Sequence, residues 1–449
     1  MHAIQKTSRI ALTALCALGM AVTAMAAEPV NVLSTLKGLD LRIYGFLELD
    51  VIHDTTQGYN EVIGNTLVPV RTNAGVDTWA GEHGRSQMGV RDSRLGLEFG
   101  LPPTDAGLKT KAILEADFLG NQGANTVPAG AASAQTENAY FTNASLRVRQ
   151  AYADLTYQGF NAKLGQTWSL LGWQPVYLMP QASVPCGPGE PFLRMPQVRA
   201  TYTQKLGEEW AVDAAVAEAK PAVMNSGNFE TQFGVKVASS KHKAANPIGG
   251  VTVMVPMSAG FTGALIPVRT NVGNPVGKIG VLDVGIPIIP SKDGKDRSNN
   301  LLFIGEAMMG TGAGVEYPGL SFGVAAPTVA NAGVIVDAGI GGIPGSGYFE
   351  FIQSRAFHGS LMYWLPGGKI GVGGGYAQVD FVNINDFNPT ANTLASKIQF
   401  ADLNVFYDPL TWLRFGVEFS TTKDTYQRDA VVPRFATNNR MQFSSFFLF

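Results

Sequence analysis

Like-charged residues stand two positions apart at several places in the sequence, and this spacing decides what they can do. Glu48 and Asp50 form one such pair, and Arg147 and Arg149 form another. In an extended chain these partners project from the same face, because side chains alternate along a strand. Further members of the charged set are Glu115, Asp117, Arg91, Arg94 and Arg199. Carboxylates and guanidinium groups that face one another can form ion pairs, and an arginine without a partner can bind an anion through its planar fork of donors.

The segments that carry these charges have the alternation of β-strands. In 41–51, Leu47 and Leu49 share one face, opposite Glu48 and Asp50. The same alternation recurs in 94–101, 108–118 and 414–419. Runs of about ten residues exceed the ~5–6 residues of most soluble strands and match the ~9–11 residues of a tilted strand that crosses a bilayer. Because backbone groups in lipid must all be paired, we expect an all-β fold, a closed antiparallel transmembrane β-barrel with its charged face inside.

The connections between these segments alternate in length, which sets the number of strands. The short ones are 102–107, 158–159, 365–368 and 408–410, and the long ones are 54–90, 121–144, 170–196, 380–395 and 423–439. Outer-membrane barrels have short periplasmic turns and long outer loops. The strands at 229–238 and 357–365 then both run inward, so an odd number of strands lies between them. Three strands there give 16 in all and five give 18; we expect 16, although alternation is blurred through 239–349.

The inward-facing charges allow two interpretations. In the first, the acidic and basic residues form a cross-strand ladder of ion pairs that satisfies a polar interior. In the second, some of the arginines stay unpaired and form a positive ring of the kind used in anion pores. Both interpretations can hold for different members of the set.

The long segment 169–196 is a candidate constriction loop. It follows the fifth predicted strand, and in many 16-stranded barrels the loop at that place folds inward. Six prolines limit its freedom, because each proline fixes its own φ. We expect Trp173, Glu190 and Arg194 to face solute there; the alternative is a plain surface loop.

Both ends of the chain carry targeting features. Lys6 and Arg9 precede an apolar run at 10–24, and Ala24-Met25-Ala26 is a small-residue cleavage site, so we expect a signal peptide at 1–26, followed by a barrel over 27–449 with a short lead at 27–40. The chain stops on MQFSSFFLF. We expect this segment to be the final inward-running strand, with Phe449 as part of the signal that barrel-assembly machinery reads.

Other chemistries have little support in the sequence. The five histidines are scattered, no H-E-x-x-H or G-x-S-x-G motif is present, and the glycine-rich stretches lack the lysine of a phosphate loop. We therefore expect no enzyme activity, no metal and no cofactor. With 33 basic and 35 acidic residues and no charge run, a nucleic-acid partner is not expected. Only Cys186 remains after the predicted cleavage, so no intrachain disulfide is expected.

Several segments resemble one known family. RDSRLGLEFGLPPTDAGLKTKAILEADFLGN (91–121), SLRVRQAYADL (145–155), KLGQTWSLLG (163–172), FLRMPQVRATY (192–202) and the terminal RMQFSSFFLF are similar to the trimeric DcaP-type outer-membrane porins. The resemblance implies a 16-stranded homotrimeric channel of a Gram-negative outer membrane. Such a channel passes small hydrophilic solutes by diffusion and prefers anions such as dicarboxylates. Two alternatives stay open, an outer-membrane barrel enzyme and a structural or adhesive barrel with a plugged lumen.

Overall fold

The computed structural model describes most of the chain from residue 39 onward. The described residues are 39–56, 81, 83–120, 145–182, 187–220, 229–267, 275–312, 340–342, 349–386, 395–426 and 435–449. The predicted signal peptide, all but the last two residues of the lead, and Cys186 lie outside them. None of the described helical segments is long or apolar enough to cross a membrane.

The described residues form nineteen strands. They are β1 (Asp40–Asp54), β2 (Arg85–Gly89), β3 (Arg94–Leu101), β4 (Lys109–Gly120), β5 (Ser145–Tyr157), β6 (Phe160–Trp168), β7 (Arg194–Leu206), β8 (Trp210–Ala219), β9 (Glu230–Ile248), β10 (Val251–Pro267), β11 (Val276–Ile289), β12 (Asn300–Thr311), β13 (Ile340–Gly342), β14 (Phe349–Phe351), β15 (Gln353–Trp364), β16 (Ile370–Phe381), β17 (Ala395–Leu410), β18 (Leu413–Tyr426) and β19 (Phe435–Leu448).

These strands close into one antiparallel barrel of sixteen staves. β1 pairs with β19 at one side and with β2 and β3 at the other, which closes the ring. β2 and β3 are two parts of one stave, interrupted at 90–93, and the short β13 and β14 form a separate sheet. The predicted closed barrel of 16 strands is confirmed. Three strands of the barrel, β10, β11 and β12, lie between β9 and β15, as the strand directions require.

The turns at the periplasmic end are short, with one exception. The strands are joined there by 102–108, 158–159, 207–209, 249–250, 365–369 and 411–412. The exception is the longer connection 290–299 between β11 and β12. The predicted turn at 408–410 is wrong by a few residues, because β17 continues to Leu410 with irregular pairing after Tyr407.

The two faces of the sheet differ as the alternation predicts. On β1, Leu47 and Leu49 are exposed on the outer wall, whereas Glu48 and Asp50 are buried on the inner side. Exposed apolar side chains continue around the outside, from Leu146 on β5 through Val235 on β9 to Leu403 on β17. A continuous apolar wall of this extent needs a lipid environment, because monomeric soluble proteins rarely expose such patches.

Aromatic side chains mark the periplasmic edge of this wall. The ring of Trp412 lies 5.5 Å from that of Phe447, and Phe415 lies 6.0 Å from Phe443. Girdles of this kind occur where the apolar band of a barrel meets the interface. The final strand therefore ends as predicted, with its aromatics at the periplasmic end.

The strands β10–β12 have apolar side chains on both faces. On β11, Val281 points inward and is fully buried, while the neighbouring Leu282 is exposed on the outer wall. Ile304 on β12 and Ile266 on β10 also point inward. These inner faces are mostly apolar, with Asp283 on β11 and Glu306 on β12 as their buried carboxylates, so the alternation of polar and apolar residues is blurred. This explains why 239–349 could not be divided into strands from the sequence.

Candidate pore and its charged lining

A ladder of ion pairs lines the inner wall over β3, β4 and β5. Arg149 donates from Nε to Oε1 of Glu115 at 2.8 Å and from Nη1 to Oδ2 of Asp117 at 2.7 Å. Arg147 donates to both oxygens of the same Asp117, and Nε of Arg94 lies 3.8 Å from Oε1 of Glu115. A bulge makes this possible, because β5 carries one extra residue opposite Glu115 and Ala116. It places Arg147 and Arg149 on the same carboxylate.

In most of these pairs the cation is more accessible to water than the anion. The side chain of Arg147 is 35% exposed and that of Asp117 is 1% exposed. The side chain of Lys163 is 24% exposed, and that of its partner Asp154 is 9% exposed. For Arg94 and Glu115 the values are 16% and 6%. The lining therefore presents basic groups to the lumen and keeps their carboxylates against the wall.

Glu48 and Asp50 are both buried on the inner side of β1. Oδ1 of Asp50 accepts hydrogen bonds from the hydroxyl of Ser444 at 2.5 Å and from the amide of Gln442 at 3.1 Å. Both donors lie on β19, so Asp50 links the two strands that close the barrel. The backbone N–H of Glu48 donates to Ser93 Oγ at 2.9 Å, next to the interruption between β2 and β3.

Arg91 and Arg199 lie apart from the ladder. Arg91 is buried at the interruption and donates from Nε to the carbonyl of Phe118 at 3.4 Å. Arg199 donates to Oε1 of Gln197 at 2.9 Å and to the carbonyl of Trp168. Within the described part of the chain, no carboxylate lies within ion-pair distance of Arg199. The ladder and an arginine without a carboxylate partner thus both occur, on β3–β5 and on β7.

The described residues 169–182 and 187–193 fold into the barrel, which agrees with the predicted constriction loop. Gly172 N–H donates to Thr262 Oγ1 on β10 at 2.8 Å, and Ala182 N–H donates to Glu418 Oε2 on β18 at 3.0 Å. These partners are on inner faces of well-separated strands, so the loop runs across the lumen. The surface-loop alternative does not fit these contacts.

The three residues predicted to face solute have different surroundings. Trp173 is buried, with Nζ of Lys236 located 4.4 Å from the centre of its ring. Glu190 is fully buried and accepts from the backbone N–H groups of Met179 and Gly187, each at 2.7 Å, so it holds the loop together. Arg194 is half-buried at the start of β7, and its guanidinium stacks 4.6 Å from the ring of Trp168.

A second inward-folded element was not predicted from the sequence. The turn between β9 and β10 lies inside the periplasmic end of the barrel, where Nη1 of Arg414 donates to the carbonyl of Gly249 at 2.7 Å. Its sequence signal is the pair Gly249-Gly250 between two strand-like runs, which favours a two-residue hairpin turn. That signal indicates a hairpin but gives no indication that it bends inward.

Comparison with known proteins identifies the fold of the chain through solved structures. No family model matches the chain, and no curated protein matches it in sequence. Among solved structures, the outer membrane channel DcaP of Acinetobacter baumannii is 17% identical, with a TM-score of 0.61 over 95% of this chain and 100% of that one. An anion-selective porin from Comamonas acidovorans is 11% identical, with a TM-score of 0.52 over 92% of this chain and 100% of that one.

The chain has the fold of a DcaP-type outer-membrane porin. The fold and the apolar outer wall locate it in the outer membrane. In this porin fold the inward loop follows the fifth stave, β6, and the ion-pair ladder faces the lumen beside it.

Proposed function

We propose that this porin fold is a water-filled channel for passive diffusion of small hydrophilic solutes, that it favours anions such as dicarboxylates, and that it works as a homotrimer without catalysis. One observation carries the anion preference. Along β3–β6 the basic ends of most of the ion pairs are more accessible to water than their carboxylates, as the pairs Arg147–Asp117 and Lys163–Asp154 illustrate.

The physical reason is that a fixed ion pair can still recognise a solute. A guanidinium has five N–H donors, and a wall carboxylate uses only some of them. Donors that still reach water can bind a passing carboxylate in the bidentate geometry that arginine favours. The ion pair also limits the movement of the side chain, so less conformational freedom is lost when a solute binds.

The comparisons support the proposal at the level of fold. The structure from Comamonas acidovorans is described as an anion-selective porin, and that from Acinetobacter baumannii as an outer membrane channel.

Purified protein in planar bilayers tests the function. Under a salt gradient we expect stable open-channel conductance and a reversal potential of the sign given by anion flow. Chemical cross-linking in detergent should show a trimer. Cation selectivity would overturn the anion preference, and a monomer would overturn the proposed assembly.

A barrel with a plugged lumen is the second candidate, and one observation favours it. The inward loop and the inward hairpin together fill much of the lumen, as the fully buried Tyr177 and Ala245 show. A liposome-swelling series with anionic, neutral and cationic solutes of matched size separates the two candidates. Swelling with the anionic solute supports the channel, whereas no swelling with any solute supports the plugged barrel.

A further inference from the structure

The strands β9 and β10 continue past their neighbours as a hairpin of their own. β8 pairs with β9 only as far as Ser239, and β11 pairs with β10 only from Ser258 onward. Between these points the two strands pair with each other, from Lys243 opposite Pro256 to Ile248 opposite Val251. We call residues 243–256 the inner hairpin. Its arm of about seven residues spans roughly 23 Å at the rise of an extended strand.

The tip of the inner hairpin reaches the opposite wall of the barrel. Arg414 on β18 donates to the carbonyl of Gly249 and to Thr252 Oγ1, each at 2.7 Å. Gly250 lies against the inward-facing ring of Phe46 on β1, so closely that a Cβ at position 250 would be 2.5 Å from a ring carbon. β9 and β10 are the eighth and ninth of sixteen staves, whereas β1 and β18 are the first and fifteenth. The hairpin therefore crosses the lumen.

Hydrogen bonds join the inner hairpin to the inward loop above it. Asn246 Nδ2 donates to the carbonyl of Leu178 at 2.8 Å, and Gly249 N–H donates to that of Gln181 at 3.1 Å. Trp364 Nε1 on β15 donates to the carbonyl of Ala245 at 3.3 Å. Loop, hairpin and wall thus form one connected layer.

The layer is packed as a hydrophobic core against one half of the barrel. Hairpin residues Ala245 and Val255 belong to one buried cluster with Tyr177 of the loop and with Ile304 and Phe406 of the wall. Inward side chains of this half that are at most 1% exposed include Thr262, Leu302, Met362, Trp364, Asn404, Glu418 and Gln442. Packing of this density leaves no room for solute along β10–β19.

The other half of the lumen keeps its side chains accessible. The side chains of five residues on β3–β8 are between 22% and 43% exposed, namely Glu98, Lys111, Arg147, Lys163 and Asp213. Three of these five are basic. The accessible part of the lumen is thus the part with the ion-pair ladder.

We propose that the inner hairpin is a specificity-determining element, which closes the β10–β19 half of the lumen and directs solutes along the basic wall of β3–β8. Arg414 is its positioning residue. Two further bonds from Nε and Nη2 to Asp408, both 2.9 Å, fix the guanidinium while it holds the hairpin tip. This inference rests on the proposed channel function.

Two variants in planar bilayers test the inference. The first replaces residues 244–255 with a two-residue Asn-Gly turn, which shortens the hairpin to its base. The second is Arg414→Gln, which leaves the hairpin intact but removes the donors that hold its tip. Lys369→Gln is the matched control, because it removes one positive charge from the periplasmic end at an exposed site in the turn 365–369, away from the β3–β8 wall. Heat-modifiable mobility on gels establishes that each barrel is folded.

In the shortened variant we expect single-channel conductance to rise roughly twofold, and anion preference to fall, because the half that becomes open carries inward-facing carboxylates such as Asp283, Glu306 and Glu418. In Arg414→Gln the current should fluctuate between the conductance levels of the wild type and of the shortened variant, whereas Lys369→Gln should conduct as the wild type does. If folded variants conduct with the wild-type amplitude and selectivity, the hairpin does not define the path, although the channel function stands. If the wild type itself does not conduct, the proposed channel function is wrong, and the role of the hairpin falls with it. If the shortened barrel does not fold, the current of Arg414→Gln tests the inference by itself: fluctuation supports it, and a steady wild-type current overturns it.

Discussion

Arg147 donates to both carboxylate oxygens of Asp117, at 2.9 Å from Nε and 2.6 Å from Nη2, yet it remains the more accessible of the two. A symmetric surface ion pair would expose both partners. Here the wall covers the anion, and the lumen receives the cation. The charge that a solute meets is therefore set by burial as much as by the number of acidic and basic residues.

Replacing Arg147 with Gln should weaken anion preference. The substitution removes the most accessible guanidinium of the ladder and leaves the buried Asp117 to Arg149. We expect the anion-to-cation permeability ratio to fall roughly twofold, as for one charge acting through water. The reversal potential under a salt gradient measures this. Arg355→Gln is the control, because Arg355 is on the outer wall; an equal shift in both variants would contradict the assigned role.

Replacing Arg149 with Ala should destabilise the barrel more than it changes selectivity. The Arg149 side chain is buried and bonds to both Glu115 and Asp117, so its loss leaves two buried carboxylates with fewer partners. Removing one partner of a buried pair costs about 3 kcal/mol or more. The midpoint of urea unfolding, followed by gel mobility, should fall for Arg149→Ala and change little for Arg147→Gln. Similar midpoints would show that the buried pair adds little.

Deleting Phe449 should reduce the yield of folded barrel while selectivity is retained. Gly45 N–H donates to the carbonyl of Phe449 at 3.0 Å, and Phe449 N–H donates back to that of Gly45 at 3.1 Å, which completes the pairing of β1 with the end of the chain. Phe449→Leu keeps both bonds and removes only the ring. Outer-membrane yield of the two variants separates the roles of backbone and ring, and normal yield from the deletion would refute both.

The turn 290–299 should lose order only in acid. Backbone N–H groups of Lys295 and Asp296 donate to Oδ1 of Asp293, and these bonds lower the pKa of Asp293 below its ordinary value of 3.8. A lowered pKa means that the stabilisation is present above the ordinary value and is lost as the pH falls below it. Amide-exchange protection at Lys295 and Asp296 should be constant down to about pH 5 and decrease under about pH 4. In Asp293→Asn this dependence should vanish; if it persists, another group controls the turn.

The fold followed from sequence wherever one face of a strand was charged. Glu48 and Asp50 marked the inner side of β1, and Arg147 and Arg149 did so on β5. From 239 to 349 the sequence does not indicate where strands begin and end. Ile304 and Val281 point inward there as apolar residues, because their partners are the loop and the inner hairpin rather than water. Contacts of that kind join positions far apart in the chain, such as Asn246 with Leu178, and no local spacing indicates them.

The ladder was also only half predictable. Charge spacing indicated that Arg147 and Arg149 share a face, but the bulge that lets both reach Asp117 leaves no clear local pattern. The hydrogen bonds of Glu190 within its own loop depend on the path of that loop, so the local sequence does not predict them either.

The mostly apolar inner faces of β10–β12 have a consequence for assembly. A strand with several charges on one face would place all of them in lipid if that face turned outward, whereas β11 and β12 each carry a single inward-facing carboxylate, Asp283 and Glu306, and β10 carries none. Which face of these strands meets lipid then depends largely on their pairing with β9 and β15. It depends also on the inward loop and the inner hairpin, which pack against one face only. In this part of the barrel the neighbouring elements determine which face is the inner one, and the orientation is fixed only when those elements are in place.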